Sequence, residues 1–287
     1  ALDISAMKNY EDIIAEAEIL RERLEKFLIA YFSPYYGVEV KDKPILFTSG
    51  RYEFWNKGFD LFIESLGKLN ERLKGKTEVF AFILVPSDVG EGKEEITENI
   101  LLFDRLEEIL DEKFEETKKK ILDKIGKGEK IGVKDIIEEE LIANISGIVS
   151  KMKRKGLPPL CPFHLNYDER SDLILENLRR YGLKNRKDDA VKVIFYPRYL
   201  KTSDELLRLS YKEFLEAADI GIFMSRYEPF GYTPLEASVY ITCSITSDYS
   251  GFGNLIRKYG REGKGVCLLY TSPSPRDLST SRMPSSA

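Results

Sequence analysis

The nine residues 78–86, EVFAFILVP, are apolar almost without interruption, and this run limits the folds open to the chain. A strand with one wet face alternates apolar and polar residues, whereas a continuous run suits a strand covered on both faces. A second short apolar run, PILFT at 44–48, precedes it. Between the two, residues 58–73 repeat apolar positions at helical spacing through Leu61, Phe62, Leu66 and Leu69. Strand, helix, strand in that order is a βαβ unit, because parallel strands need a crossover connection.

The same rhythm resumes further along. Residues 169–181 read as helix, AVKVIFY at 190–196 as a strand, 204–218 as helix and 220–224 as a short buried strand. A helix begins over 234–240, a strand follows at 243–246, a short helix at 252–259 and a last strand at 266–269. The expected fold is α/β: an open, Rossmann-like parallel sheet with helices on both faces. The patterns leave the strand order open.

Two stretches interrupt the alternation. A long helix is expected over 8–34, ahead of the first strand, with apolar residues from Ile13 to Ala30. Residues 90–140 mix charges of both signs over apolar positions at helical spacing, broken at Gly126 and Gly128. Another helix runs roughly over 133–152 before Pro158 and Pro159. These define a helical insertion, 90–155, within one Rossmann-like domain spanning 1–269. Its charged face is read as solvated surface ahead of a partner-binding face, with self-association left open. From 270 onward, TSPSPRDLSTSRMPSSA is rich in Ser and Pro without periodicity. It is expected to be a disordered tail, with a non-native origin as the rival reading.

Composition narrows the function. A net charge of −4 spread over mixed segments supplies no basic field for nucleic acid or an anionic membrane surface. No apolar run reaches the roughly 18 residues of a spanning helix. Cys161, Cys243 and Cys267 are scattered, and His164 is the single histidine, so no metal-ligand spacing arises. Unpaired thiols suit a reduced, cytoplasmic compartment. His164 lies in irregular chain and is assigned a structural role. The first residues, ALDI, read as a cut end.

In open α/β sheets, ligands collect beyond the carboxyl ends of strands, where helix amino termini point outward. Two polar segments occupy such positions. In TSGRYEFWNKG, 48–58, Gly50 permits a tight turn, and Arg51 and Lys57 stand where they can converge on a diphosphate. Neither GxGxxG nor GxxxxGK[ST] occurs, which sets aside a nicotinamide fingerprint and a Walker loop. In SRYEPFGYTPLE, 225–236, Glu228 should sit on the loop and Glu236 in the first turns of a helix, able to accept hydrogen bonds from ribose hydroxyls. Solvated charges in the first segment and helix capping in the second are the plainer alternatives. A third element, SGFG at 250–253, offers amides at a helix start.

Together TSGRYEF with Asn56, Lys57 and Gly58, the 225–236 segment, SGFG, Pro159 and DAVKVIFYP at 189–197 resemble the glycogen synthases of the animal and fungal type over roughly 1–265. The resemblance implies half of a two-domain GT-B architecture, the carboxyl-terminal, donor-binding half, with the amino-terminal domain missing. It assigns Arg51 and Lys57 to the donor diphosphate and Glu228 to the transferred glucose or neighbouring catalytic groups. It places Glu236 on the ribose, Gly50, Tyr232 and Thr233 at the nucleotide pocket, and the amides near Gly251 and Gly253 in support. The implied reaction transfers glucose, with retention, from a nucleoside diphosphate glucose, UDP-glucose favoured, to an α-1,4-glucan acceptor, with no cofactor or metal. The family is thought to use front-side attack rather than a carboxylate nucleophile. A fragment of this kind is expected to transfer little glucose alone. The rival is a noncatalytic nucleotide-sugar or glucan-binding module.

Overall fold

A computed structural model describes residues 10–136, 138–261 and 263–270; the Ser/Pro tail lies outside them. The chain begins with α1 (Tyr10–Phe32), which lays Leu24, Phe27, Leu28 and Tyr31 into the core. Then come β1 (Ile45–Ser49), α2 (Phe59–Leu73) and β2 (Val79–Leu84), the βαβ unit expected from the apolar runs. Every residue of β1 and β2 is buried, so both faces of these strands are covered.

The next region departs from the expected pair of helices. A short strand, β3 (Val89–Gly92), precedes α3 (Glu94–Gly126), a 3-10 turn at Val133–Asp135 and α4 (Glu139–Met152), and β4 (Phe163–Leu165) closes the segment. β3 and β4 pair antiparallel as a separate two-stranded sheet, so the helices leave and return through one narrow base. His164 belongs to β4, with its side chain exposed, not to irregular chain. Among described residues of α3, only those near its start, Ile96, Asn99 and Ile100, are buried, whereas Phe114, Leu122 and Ile125 are exposed.

The alternation resumes with α5 (Leu173–Arg180), β5 (Val191–Phe195), α6 (Tyr211–Ala217), β6 (Ile220–Phe223), α7 (Tyr232–Val239), β7 (Cys243–Ser247), α8 (Gly251–Lys258) and β8 (Val266–Leu269). The helix expected over 204–218 is reduced to α6. Asp204 Oδ1 accepts hydrogen bonds from the amides of Leu206 and Leu207, a local alternative to helix hydrogen bonding. Arg208 then adopts φ 53°, which a right-handed helix cannot include. Helix starts only at Ser210, where a capping box forms: Ser210 Oγ accepts the Glu213 amide at 3.3 Å, and Glu213 Oε2 accepts the Ser210 amide at 2.7 Å.

The six main strands are parallel in the order β5-β2-β1-β6-β7-β8. The chain builds outward from β1 to β5, then returns to lay β6 on the other side of β1. The order therefore reverses between β1 and β6, the switch point at which doubly wound sheets bind ligands. Cover thins towards β8, where Cys267 is exposed. Beneath the switch point, Phe47 of β1 makes edge-on ring contacts with Phe214 and Phe223, centroids 5.5 and 5.7 Å apart.

Candidate functional site at the strand switch point

β1 and β6 end side by side, so 50–58 and 224–231 leave the sheet as neighbouring loops. They pass close together at Gly58, in the left-handed region at φ 68°. A Cβ there would lie 1.9 Å from the Met224 carbonyl oxygen, so only glycine lets the first loop reach β6. The loops are then stitched by backbone: the Arg226 amide donates to the Asn56 carbonyl at 2.8 Å. Arg226 also places both guanidinium nitrogens on the two carboxylate oxygens of Asp60, each at 2.6 Å, and bonds the Trp55 carbonyl at 2.8 Å.

One residue beyond Asn56 and two beyond Arg226, Lys57 Nζ donates to Glu228 Oε2. Both side chains are largely enclosed, 13 % and 19 % exposed. The Lys57 chain also runs over Gly50, where a Cβ would sit 3.5 Å from its Cδ. The structure thus joins Lys57, Gly50 and Glu228. It leaves Arg51 at the rim, 81 % exposed, with its guanidinium 3.2 Å from Glu53. Arg51 and Lys57 share a loop, but in this structure they face different acidic partners.

The far end of the same loop is tied down by Tyr52. Its hydroxyl donates to Asp172 Oδ2 at 2.8 Å, and the Tyr167 hydroxyl donates to the same oxygen at 2.7 Å. Asp172 caps α5 through the Leu175 amide at 2.8 Å. Burial beside this carboxylate pushes the Tyr52 hydroxyl well above the ordinary tyrosine range, so it acts as a fixed donor.

Glu236 stands apart from Glu228, in the second turn of α7. Desolvation raises its pKa, with Lys212 opposing. The two carboxylates therefore have different surroundings: one carries a lysine partner, the other is half-buried. Tyr232 is exposed and stacks obliquely against Phe230, centroids 4.9 Å apart. Thr233, Ser49, Gly50, Arg51 and Tyr211 line a largely apolar cleft of about 310 Å³, a size that accommodates a small ligand. A depression of about 640 Å³ between α1 and residues 216–220 lies at the amino ends of the strands, opposite the switch point, and its Arg21 is held by Asp219 and Glu25.

Gly251 and Gly253 occupy the start of α8. The Gly251 amide donates to the Glu228 carbonyl at 3.2 Å, and the Gly253 amide to Ser250 Oγ at 2.9 Å. A Cβ on either residue would meet a backbone oxygen, of Pro229 or Ser247, at 2.3 Å. Gly251 thus packs α8 against the Glu228 loop, Gly253 packs the same helix start against the end of β7, and both amides already have partners within the chain.

Sequence reasoning passed over Tyr211 and Arg198. Tyr211 bonds Ser49 at 2.8 Å from the start of α6, a position hidden inside the overlong helix expected there. Arg198 lines the cleft just after β5; its place beyond a strand end was the available signal.

Comparison with known proteins places the chain in a family. Residues 2–270 match the family described as glycogen synthase. The liver glycogen [starch] synthase of Homo sapiens is 32% identical over 258 residues, covering 89% of this chain and 36% of that protein. The glycogen [starch] synthase of Neurospora crassa is 35% identical over 257 residues, covering 87% of this chain and 36% of that protein. The chain thus spans little more than a third of the length of these relatives. Among solved structures, a protein described as "Trehalose-6-phosphate from E. coli bound with UDP-2-fluoro glucose" aligns over 94% of this chain and 40% of its own, at 9% identity and a TM-score of 0.39, too distant to bear on individual residues. With a match from residue 2 to residue 270, this chain belongs to the glycogen synthase family.

Proposed function

We propose that this chain forms the donor-binding wall of a retaining glucosyltransferase that takes glucose from a nucleoside diphosphate glucose, UDP-glucose favoured, and passes it to an α-1,4-glucan. The observation that carries the reading is the meeting of Lys57 and Glu228 at the switch point, next to the cleft lined by Gly50, Thr233 and Tyr211. In this reading the base and ribose occupy that cleft. Glu236 accepts from the ribose hydroxyls, and Tyr232 and Thr233 flank the nucleotide. The diphosphate lies over Gly50 between Lys57 and Arg51, which swings inward from its exposed position.

Departure of the nucleoside diphosphate builds negative charge on the β-phosphate. A preorganised ammonium in a largely enclosed site stabilises that charge more than a solvated one does. Glu228 is bound by Lys57 and Glu236 stands in separate surroundings, which favours front-side attack over a double-displacement carboxylate scheme. The glucan and the opposite wall of the cleft are assigned to the sequence that the relatives carry beyond the matched third.

Calorimetric titration with UDP-glucose, ADP-glucose and NAD tests the donor class. The proposal expects binding of a nucleotide sugar and none of NAD. Binding of NAD in preference to both sugars would refute it.

A further inference from the structure

We infer that Arg226 and Asp60 are positioning residues that hold Lys57 and Glu228 in register across the two site loops. The inference deepens the proposed function and rests on it for its link to the donor. Lys57 and Glu228 lie on different loops, and an ammonium on a four-carbon stem finds no fixed position without support. The support is visible one residue away. Arg226 is a fork: two nitrogens take both oxygens of Asp60 at 2.6 Å each, and one of them also takes the Trp55 carbonyl at 2.8 Å. Its own amide takes the Asn56 carbonyl at 2.8 Å.

Arg226 thus binds Trp55, Asn56 and Asp60 together, bracketing Lys57 on both sides in sequence, while Glu228 follows two residues after it. Two parallel charge-assisted bonds fix orientation as well as distance, so the fork aligns the loops instead of merely attracting them. Asp60 lies in the first turn of α2 and transmits that alignment to a rigid element.

The experiment uses Arg226→Ala, Arg226→Lys and Asp60→Asn with two readouts. The first is acylation of lysines by an acetyl N-hydroxysuccinimide ester, quantified by mass spectrometry. Lys57 is compared with Lys192, whose enclosed ammonium is held by the carbonyls of Arg186 and Asp189 at 2.7 Å and which reports any general loosening. Positioning predicts that Lys57 acylation rises roughly tenfold in Arg226→Ala and Asp60→Asn, as for loss of a charge-assisted hydrogen bond, with Lys192 unchanged. Arg226→Lys keeps the charge without the fork and restores little of the protection. A rise at both lysines, or at neither, overturns the inference.

The second readout is UDP affinity. A purely electrostatic role predicts opposite effects, weaker binding in Arg226→Ala and tighter binding in Asp60→Asn. Positioning predicts that both weaken, by roughly tenfold; unchanged or tighter binding in Asp60→Asn overturns it. UDP binding that is absent, or insensitive to Lys57→Ala, refutes the donor-pocket reading instead, and acylation then decides the fork.

Discussion

Gly58 offers a direct test of how the two site loops are brought together, because the chain contains its own control. Gly58 and Gly75 have nearly the same left-handed backbone, φ 68° and 72°, so replacing either with alanine incurs a similar conformational cost of about 1 kcal/mol. Their surroundings differ. Nothing lies within 4 Å of a Cβ at Gly75, whereas at Gly58 it would stand 1.9 Å from the Met224 carbonyl oxygen. That oxygen belongs to backbone between β6 and the second motif, and it must retreat by more than an ångström to reach ordinary contact. Overpacking of this kind adds about 1–3 kcal/mol. Gly75→Ala should therefore lower the melting temperature by roughly 3 °C and Gly58→Ala by roughly 10 °C, at about 2–4 °C per kcal/mol for a domain of this size. Differential scanning calorimetry of the two variants is the assay. Equal shifts would refute the claim that close approach, and not backbone conformation alone, demands glycine at 58.

Three further outcomes follow from the site and its supports. Glu236 carries a pKa raised by desolvation, so the unfolded chain ionises first as pH rises, and stability falls from about the ordinary carboxylate range up to the raised folded value. Glu236→Gln should consequently melt higher relative to wild type at pH 7 than at pH 4, while losing nucleotide affinity; no pH dependence in that difference would contradict the assignment. Asp172→Ala removes a helix cap and strands two tyrosine hydroxyls, which should cost about 2–4 kcal/mol in urea denaturation; a loss below about 1 kcal/mol would show that water replaces the carboxylate. Burial pushes the Cys161 thiol up to about 12, so iodoacetamide at pH 8 should modify exposed Cys243 and Cys267 and spare Cys161, and fast labelling of all three would place Cys161 outside the core.

The strands were legible where the physics is local. A run such as EVFAFILVP has few places to go except a sheet covered on both sides, and β2 has every residue buried. The loops after β1 and β6 were legible as loops, because polar residues and glycine follow each apolar run. Their adjacency was not, since it depends on the reversal between β1 and β6, which no local pattern encodes. The overlong helix at 204–218 shows the limit of periodicity: Asp204 captures two amides, and the start signal lay in Ser210 and Glu213, a capping-box spacing present in the sequence. β3 and β4 are too short, at four and three residues, to leave a period at all. The glycines at 251 and 253 were read as exposing amides to a ligand. The close neighbour of Gly251, Pro229, comes from the loop after β6, which only tertiary structure brings near, while that of Gly253 is Ser247 at the end of β7, six residues back in the same connection.

The donor-binding claim meets its most direct test in the affinity of UDP-glucose for the wild-type chain and for Lys57→Ala, measured by isothermal titration calorimetry at fixed ionic strength. Removal of one enclosed charge-assisted contact to the diphosphate should weaken binding by roughly tenfold. Wild-type affinity in Lys57→Ala, with the variant folded, would contradict the placement of the diphosphate at the meeting point of the two loops.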